Sequence, residues 1–162
     1  MATERSVQRA LLCLVAGLAF TLGLSPYDLK LASIASVGCL FLAIQGQGWR
    51  HGALLGWIYG VGFFGAGVSW VYVSIHIYGQ APVGLATALT AIFCGGLAVL
   101  TGIQTALFCA VQPRDALSRV ALFTMLWVVF EWVRTWFLTG FPWLFIGYAA
   151  IDTPIAGWAP VV

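Results

Sequence analysis

The sequence predicts an all-α integral membrane protein: a polytopic bundle of five transmembrane helices and the start of a sixth, with a cytoplasmic N-terminus. Three observations predict it. Charged residues make up only 7% of the 162 residues and hydrophobic residues 62%, whereas a soluble domain carries roughly 25% charge to keep its surface wetted. Several apolar runs are too long for buried core helices, because crossing ~30 Å of hydrocarbon takes ~20 residues. The basic residues gather on alternate loops, the asymmetry that orients membrane proteins. These features exclude a soluble enzyme, a disordered chain and a nucleic-acid binder, whose footprint needs clustered Lys and Arg.

Taken in order, the apolar runs cover about 10–24, 31–44, 52–75, 83–111 and 116–138, with a sixth starting at about 156–162. The third to fifth reach a membrane-spanning length unaided, and the first two reach it only with their flanks. The connections at 25–30, 45–51, 76–82 and 112–115 are short, so neighbouring helices should run antiparallel. Arg5, Arg9, Arg50, Arg114 and Arg119 fall on one side, against Lys30 and Arg134 on the other. The richer side should be cytoplasmic, which places 25–30, 76–82 and an aromatic loop at 139–155 outside. The first run reads as a signal anchor that stays in place, since more membrane follows it rather than a soluble mature region. Cys13, Cys39, Cys94 and Cys109 all lie inside apolar runs with no metal-ligand spacing, so they read as small buried hydrophobes. No metal site and no cofactor is expected. The chain, 1–162, reads as one membrane domain.

Three features stand out. Gly52, Gly56 and Gly60 recur every four residues, which puts them on one helix face where another backbone can approach closely; packing within the chain's own bundle is the favoured reading over a dimer interface. The same run ends in Ser69-Trp70-Val71-Tyr72-Val73-Ser74-Ile75-His76. Trp70 and Tyr72 suit an interfacial anchor, and with Ser74 and His76 beside them they are candidates for bordering a site. Glu131 and Arg134 lie deep in the fifth run, where an ionised side chain is costly. Three residues apart, they share a helix face and can pair, either as a structural clamp or along a substrate or proton path.

The segment from Trp127 to Trp158 holds ten aromatics in 32 residues, more than an anchoring belt requires. Within it, Thr139-Gly140-Phe141-Pro142-Trp143 should not be a regular helix: Gly140 relaxes the backbone, and Pro142 disfavours helical geometry at Phe141. Irregular backbone at membrane depth survives only where protein or a wet cavity covers it. Phe141, Pro142, Trp143 and Tyr148 are therefore candidate lipid-contacting residues on a re-entrant or interfacial loop.

Several strings together resemble one family. Leu24-Ser25-Pro26-Tyr27-Asp28, the run Phe63–Ile75, Glu131-x-x-Arg134, Thr139-Gly140-Phe141-Pro142-Trp143-Leu144, Gly147-Tyr148 and Asp152-x-Pro154 look like bacterial apolipoprotein N-acyltransferase, in its order and spacing. The resemblance implies an enzyme of the bacterial inner membrane. It moves an acyl chain from a phospholipid to the α-amine of the N-terminal cysteine of a diacylated lipoprotein. The reaction is ping-pong, through a thioester on a cysteine activated by Glu and Lys. In the family that triad sits in a periplasmic nitrilase-like domain, and this sequence stops before it. Its only lysine is Lys30, its only glutamates are Glu4 and Glu131, and every cysteine is in a span. The chain is thus expected to be inactive alone, a lipid-facing scaffold whose nitrilase-like domain is missing and must come in cis or in trans. Two other readings remain: the scaffold of a related polyprenol-phosphate mannosyltransferase, and a small transporter or channel subunit motivated by Glu131 and Arg134.

Overall fold

The computed structural model describes residues 2–151 and 153–158. Among these residues it is all-helical, with six α-helices and no strand. They are α1 (Ala2–Phe20), α2 (Lys30–Ile44), α3 (Trp49–Gly67), α4 (Trp70–Val73), α5 (Val83–Val111) and α6 (Ala116–Arg134). A π-helical turn (Ser74–Tyr78) continues α4, and three-residue-per-turn segments cover Phe137–Thr139, Ile146–Ala150 and Pro154–Trp158. Asp152 and most of the expected start of a sixth span, 159–162, lie outside the described residues.

Among the described residues three helices are long and apolar enough to cross a membrane: Glu4–Gly23, Val83–Val111 and Ala116–Arg134. A fourth crossing results if the bent pair Trp49–Gly67 and Trp70–Tyr78 is counted as one. The sequence predicts an unbroken run over 52–75, but the chain turns by 53° between these two pieces. Gly65 and Gly67 weaken the helix there, and Val68 leaves helical geometry at φ −122°, ψ 4°. The helix α2 has 15 residues and spans only about 22 Å at 1.5 Å per residue.

Consecutive long helices run antiparallel. α3 packs chiefly along α5 on one side and α1 on the other. A Cβ added at Gly52 would sit 2.4 Å from Cys109 Sγ, one at Gly56 1.9 Å from Thr105 Oγ1, and one at Gly60 2.8 Å from the Cα of Ala98. The glycine row of α3 therefore lies flush on α5 of the same chain, and Gly17 of α1 lies as close to the Tyr59 carbonyl. Lipid tails are as apolar as leucine, so close packing and interhelical hydrogen bonds have to hold such a bundle. The bonds are present. The Thr105 hydroxyl donates across the interface to the Gly52 carbonyl at 2.8 Å, and Ser33 Oγ donates to the Phe20 carbonyl at 2.8 Å. Ser36 ties α2 to both α1 and α3, bonding the Ala16 carbonyl and the Tyr59 hydroxyl.

α6 joins this frame through rings rather than backbone contact. Trp127 stacks on Phe20 at 6.4 Å between centroids and meets Tyr59 edge-on at 6.3 Å. Phe123 packs edge-on against Phe41 and Phe108 at 5.1 and 5.5 Å. Outward residues such as Leu31, Ile92 and Leu117 are apolar and exposed, the inverse of a water-soluble surface. One end of the bundle carries Arg5, Arg9, Arg50, Arg114 and Arg119 with the short connections at 45–48 and 112–115. There the Asp115 carboxylate caps α6 by accepting from the Ser118 amide at 2.8 Å. That bond holds its pKa below the ordinary carboxylate value. The opposite end carries the 68–82 and 135–158 segments.

Gly56→Val should prevent α3 and α5 from closing, lowering stability by about 1–3 kcal/mol as overpacking does, whereas Gly65→Ala, with nothing within 4 Å of its added Cβ, should change little; thermal unfolding in detergent compares the two. The Asp115 cap contributes fully above the ordinary carboxylate pKa and is lost as pH falls through its lowered folded-state value. Asp115→Ala should therefore lower the Tm at neutral pH, and the gap to wild type should shrink below about pH 4.

Candidate functional site

The end of the bundle opposite the arginine-rich one is built around the C-terminus of α6. After Arg134 the chain cannot continue as helix. Leu138, Thr139 and Gly140 have φ of +50°, +76° and +89°, a left-handed run that reverses the chain. Only glycine fits its last position, because a Cβ at Gly140 would lie 2.2 Å from the Thr135 carbonyl oxygen. The segment then runs without regular structure through Phe141-Pro142-Trp143 and closes in the turn Ile146–Ala150.

Glu131 and Arg134 hold this segment in place. The Glu131 carboxylate, through Oε1, accepts from the Ile146 backbone amide at 2.8 Å and from Trp127 Nε1 at 3.0 Å. The Arg134 guanidinium lies 3.7 Å from the same oxygen, with both side chains largely buried. Arg134 is surrounded by rings, its Cζ 5.7 Å from the Phe63 centroid, 5.4 Å from Phe64 and 5.0 Å from Phe145. Cation–π attraction at such distances offsets part of the lost hydration. Its carbonyl accepts from the Phe141 amide at 2.6 Å. The two charges thus join α6, α3 and the 141–146 backbone at one point.

The aromatic loop reaches back to α3 and α4. Trp143 meets Trp70 edge-on at 6.3 Å. Phe141 lies between Phe64 at 6.4 Å and Phe93 at 5.5 Å. Leu144 seats on Gly67, where any Cβ would collide with its side chain. The Tyr148 hydroxyl donates to the Pro142 carbonyl at 3.0 Å. Trp70 and Trp143 remain exposed, so their shared surface faces outward.

The other candidates at this end are turned inward on their own backbone. His76 Nδ1–H donates to the Ala81 carbonyl at 2.8 Å, and its ring lies 5.3 Å from Tyr72. The Ser74 hydroxyl points back to the Trp70 carbonyl at 3.4 Å. Tyr72 borders a shallow apolar pocket between α3 and α5 with Trp57, Ser69 and Thr90, away from Phe141. Trp70 and Trp143 pair with each other, while Phe141 packs against Phe64 and Phe93; Tyr72, Ser74 and His76 make their own local contacts. Gly52, Gly56 and Gly60 lie in the α3–α5 interface, apart from all of these.

Beneath the loop runs an apolar groove of about 550 Å³, lined by α5 residues including Phe93, Gly96 and Leu100, by Phe137–Phe141, and by Arg134. Sequence reasoning missed the α5 wall of this groove, since nothing marks which face of an all-apolar helix a loop will cover. It also missed Gln104, whose carboxamide in an apolar run was a readable signal. Among the described residues no group of three or more His, Cys, Asp or Glu could hold a metal ion.

The family described as "Apolipoprotein N-acyltransferase N-terminal domain" matches residues 16–162. The chain belongs to this family. It is 43% identical over 153 residues to the apolipoprotein N-acyltransferase of Pseudomonas paraeruginosa, covering 93% of this chain and 30% of that protein. Against the enzyme of the same name from Coxiella burnetii it is 38% identical over 159 residues, covering 94% and 32%. The chain thus spans less than a third of the length of these apolipoprotein N-acyltransferases, and matches the family's N-terminal domain.

Glu131→Ala should remove the acceptor that holds Ile146 and strand the buried Arg134 charge, at about 3 kcal/mol or more. Limited proteolysis should then cut within 139–146 far faster than in wild type. Glu131→Gln keeps an acceptor for Ile146 and should fall between the two.

Proposed function

We propose that this chain is the N-terminal membrane domain of a bacterial inner-membrane enzyme that transfers an acyl chain from a phospholipid to a lipoprotein, and that it supplies the lipid-facing scaffold. The observation that carries this reading is the apolar groove lined by Phe141 at the Arg134 end of α6, on the same loop that brings Trp143 to its exposed pair with Trp70. Aromatic rings with one apolar and one wetted side suit the level where headgroup meets acyl chain. A long groove with few polar groups suits the chain itself.

The chemistry belongs to residues beyond this domain. In the reaction that family membership suggests, a cysteine thiolate takes the acyl group from the phospholipid ester and releases the lysophospholipid. The lipoprotein α-amine then attacks the thioester, forming an amide and returning the thiolate. Here Cys13, Cys94 and Cys109 are buried and Cys39 is half-buried, all within helices, and Glu131 is already committed to Ile146, Trp127 and Arg134. A nitrilase-like domain bearing the Glu, Lys and Cys is the partner this scaffold requires. The same engagement of Glu131 and Arg134 leaves the transporter reading without free intramembrane charges to use.

For topology we propose five crossings with the N-terminus in the cytoplasm and the aromatic loop in the periplasm. The five arginines at the opposite end support that orientation, and the short α2 would cross with help from its flanks.

In the enzyme carrying both domains, Trp70→Ala combined with Trp143→Ala should lower acylation of a diacylated lipoprotein peptide by at least about tenfold, equivalent to ~1.4 kcal/mol of lost transition-state binding, with the Tm little changed. Activity equal to wild type would remove this pair from the lipid path.

A further inference from the structure

Two deeply buried donors belong to residues that line one small, partly open cavity among α3, α5 and α6, and neither meets a protein acceptor: Nε2 of Gln104 on α5 and Nη1 of Arg134 on α6. Both residues are only 5% exposed. Thr101 and Glu131 complete the polar part of the lining, and Trp127 and Phe130 are among its rings. The cavity leaves about 20 Å³ for the centres of water-sized spheres, so it admits water, which needs only about one such sphere of occupied space. Leu100 and Arg134 line both this cavity and the larger groove.

We propose that this cavity is a hydration site, in which an internal water accepts from Gln104 Nε2 and Arg134 Nη1 and donates to the Glu131 carboxylate. A buried donor left without an acceptor carries its full desolvation cost, and internal waters typically make two to four bonds to such groups. Water suits the site better than an anion, because Glu131 already balances the Arg134 charge and a second negative charge in this apolar enclosure would be unpaired. The water gives α5 a polar link to the point that holds the aromatic loop. α5 and α6 otherwise share little contact, so Gln104 is a positioning residue for Arg134. This inference does not depend on the acyl-transfer reading.

Hydroxyl-radical labelling induced by X-rays oxidises side chains beside ordered internal water even where bulk solvent is excluded. Applied to the protein as the cell makes it, in lipid nanodiscs, it should oxidise Trp127 well above Phe108 after correction for intrinsic reactivity; both are buried in the core. In Gln104→Leu, labelling at Trp127 should fall to the Phe108 level and the Tm should drop. Wild-type labelling of Trp127 no higher than Phe108 would overturn the proposal. So would an unchanged or raised Tm in Gln104→Leu, the result expected if the carboxamide were merely an orphaned donor. Should that variant fail to fold, the wild-type comparison decides alone.

Discussion

A single carboxylate oxygen governs the functional end of this molecule. Glu131 Oε1 receives the Ile146 amide, the Trp127 indole and the Arg134 guanidinium, at a depth where each of those groups would otherwise be costly to bury. Around it the irregular backbone from Leu138 to Ile146 becomes tolerable, because the Ile146 amide and the neighbouring Arg134 charge are both satisfied there. Arg134 in turn is held among Phe63, Phe64 and Phe145, so the same point also joins the loop to α3. The outward pairing of Trp70 with Trp143 follows from that anchoring. Neither ring would have a fixed partner if the loop were free.

The frame that carries this point is assembled without help from the solvent. In lipid, apolar faces gain nothing by meeting each other, and the bundle relies on proximity and polar links instead. The glycine row of α3 brings its backbone onto α5, close enough for Thr105 to reach the Gly52 carbonyl. Ser33, Ser36 and Tyr59 do the same between α1, α2 and α3. α6 is attached differently, by Phe123 and Trp127 stacking into the aromatic core, and this lighter attachment makes the Glu131 point matter more. The hydration site proposed between Gln104 and Arg134 would add a polar link where α5 and α6 have few others.

Much of this architecture was legible in the sequence because composition alone places the chain in lipid and because charge interrupts the apolar runs so seldom. The irregularity at Thr139–Trp143 was legible too, since Gly140 and Pro142 impose it locally. The bend after Gly67 was not: the run from 52 to 75 is apolar throughout, and hydropathy does not register where a helix turns. Nor does a string of residues announce its distant partner. That Trp70 would meet Trp143, or that Leu144 would seat on Gly67, depends on how α6 docks, and α6 docks through rings that look alike in sequence. The chief partner of Glu131 is a backbone amide, for which no side-chain pattern exists. Membership in the apolipoprotein N-acyltransferase family names the larger protein, while the way these charges hold the loop comes from geometry alone.

The most direct measurement of that claim is the hydrogen-exchange rate of the Ile146 amide in lipid nanodiscs. If Glu131 anchors the loop, this amide should exchange as slowly as the interior amides of α6, in wild type and at neutral pH. Exchange at the rate of an unprotected loop amide would contradict the account, because the bond on which the placement of the loop depends would then not be holding it.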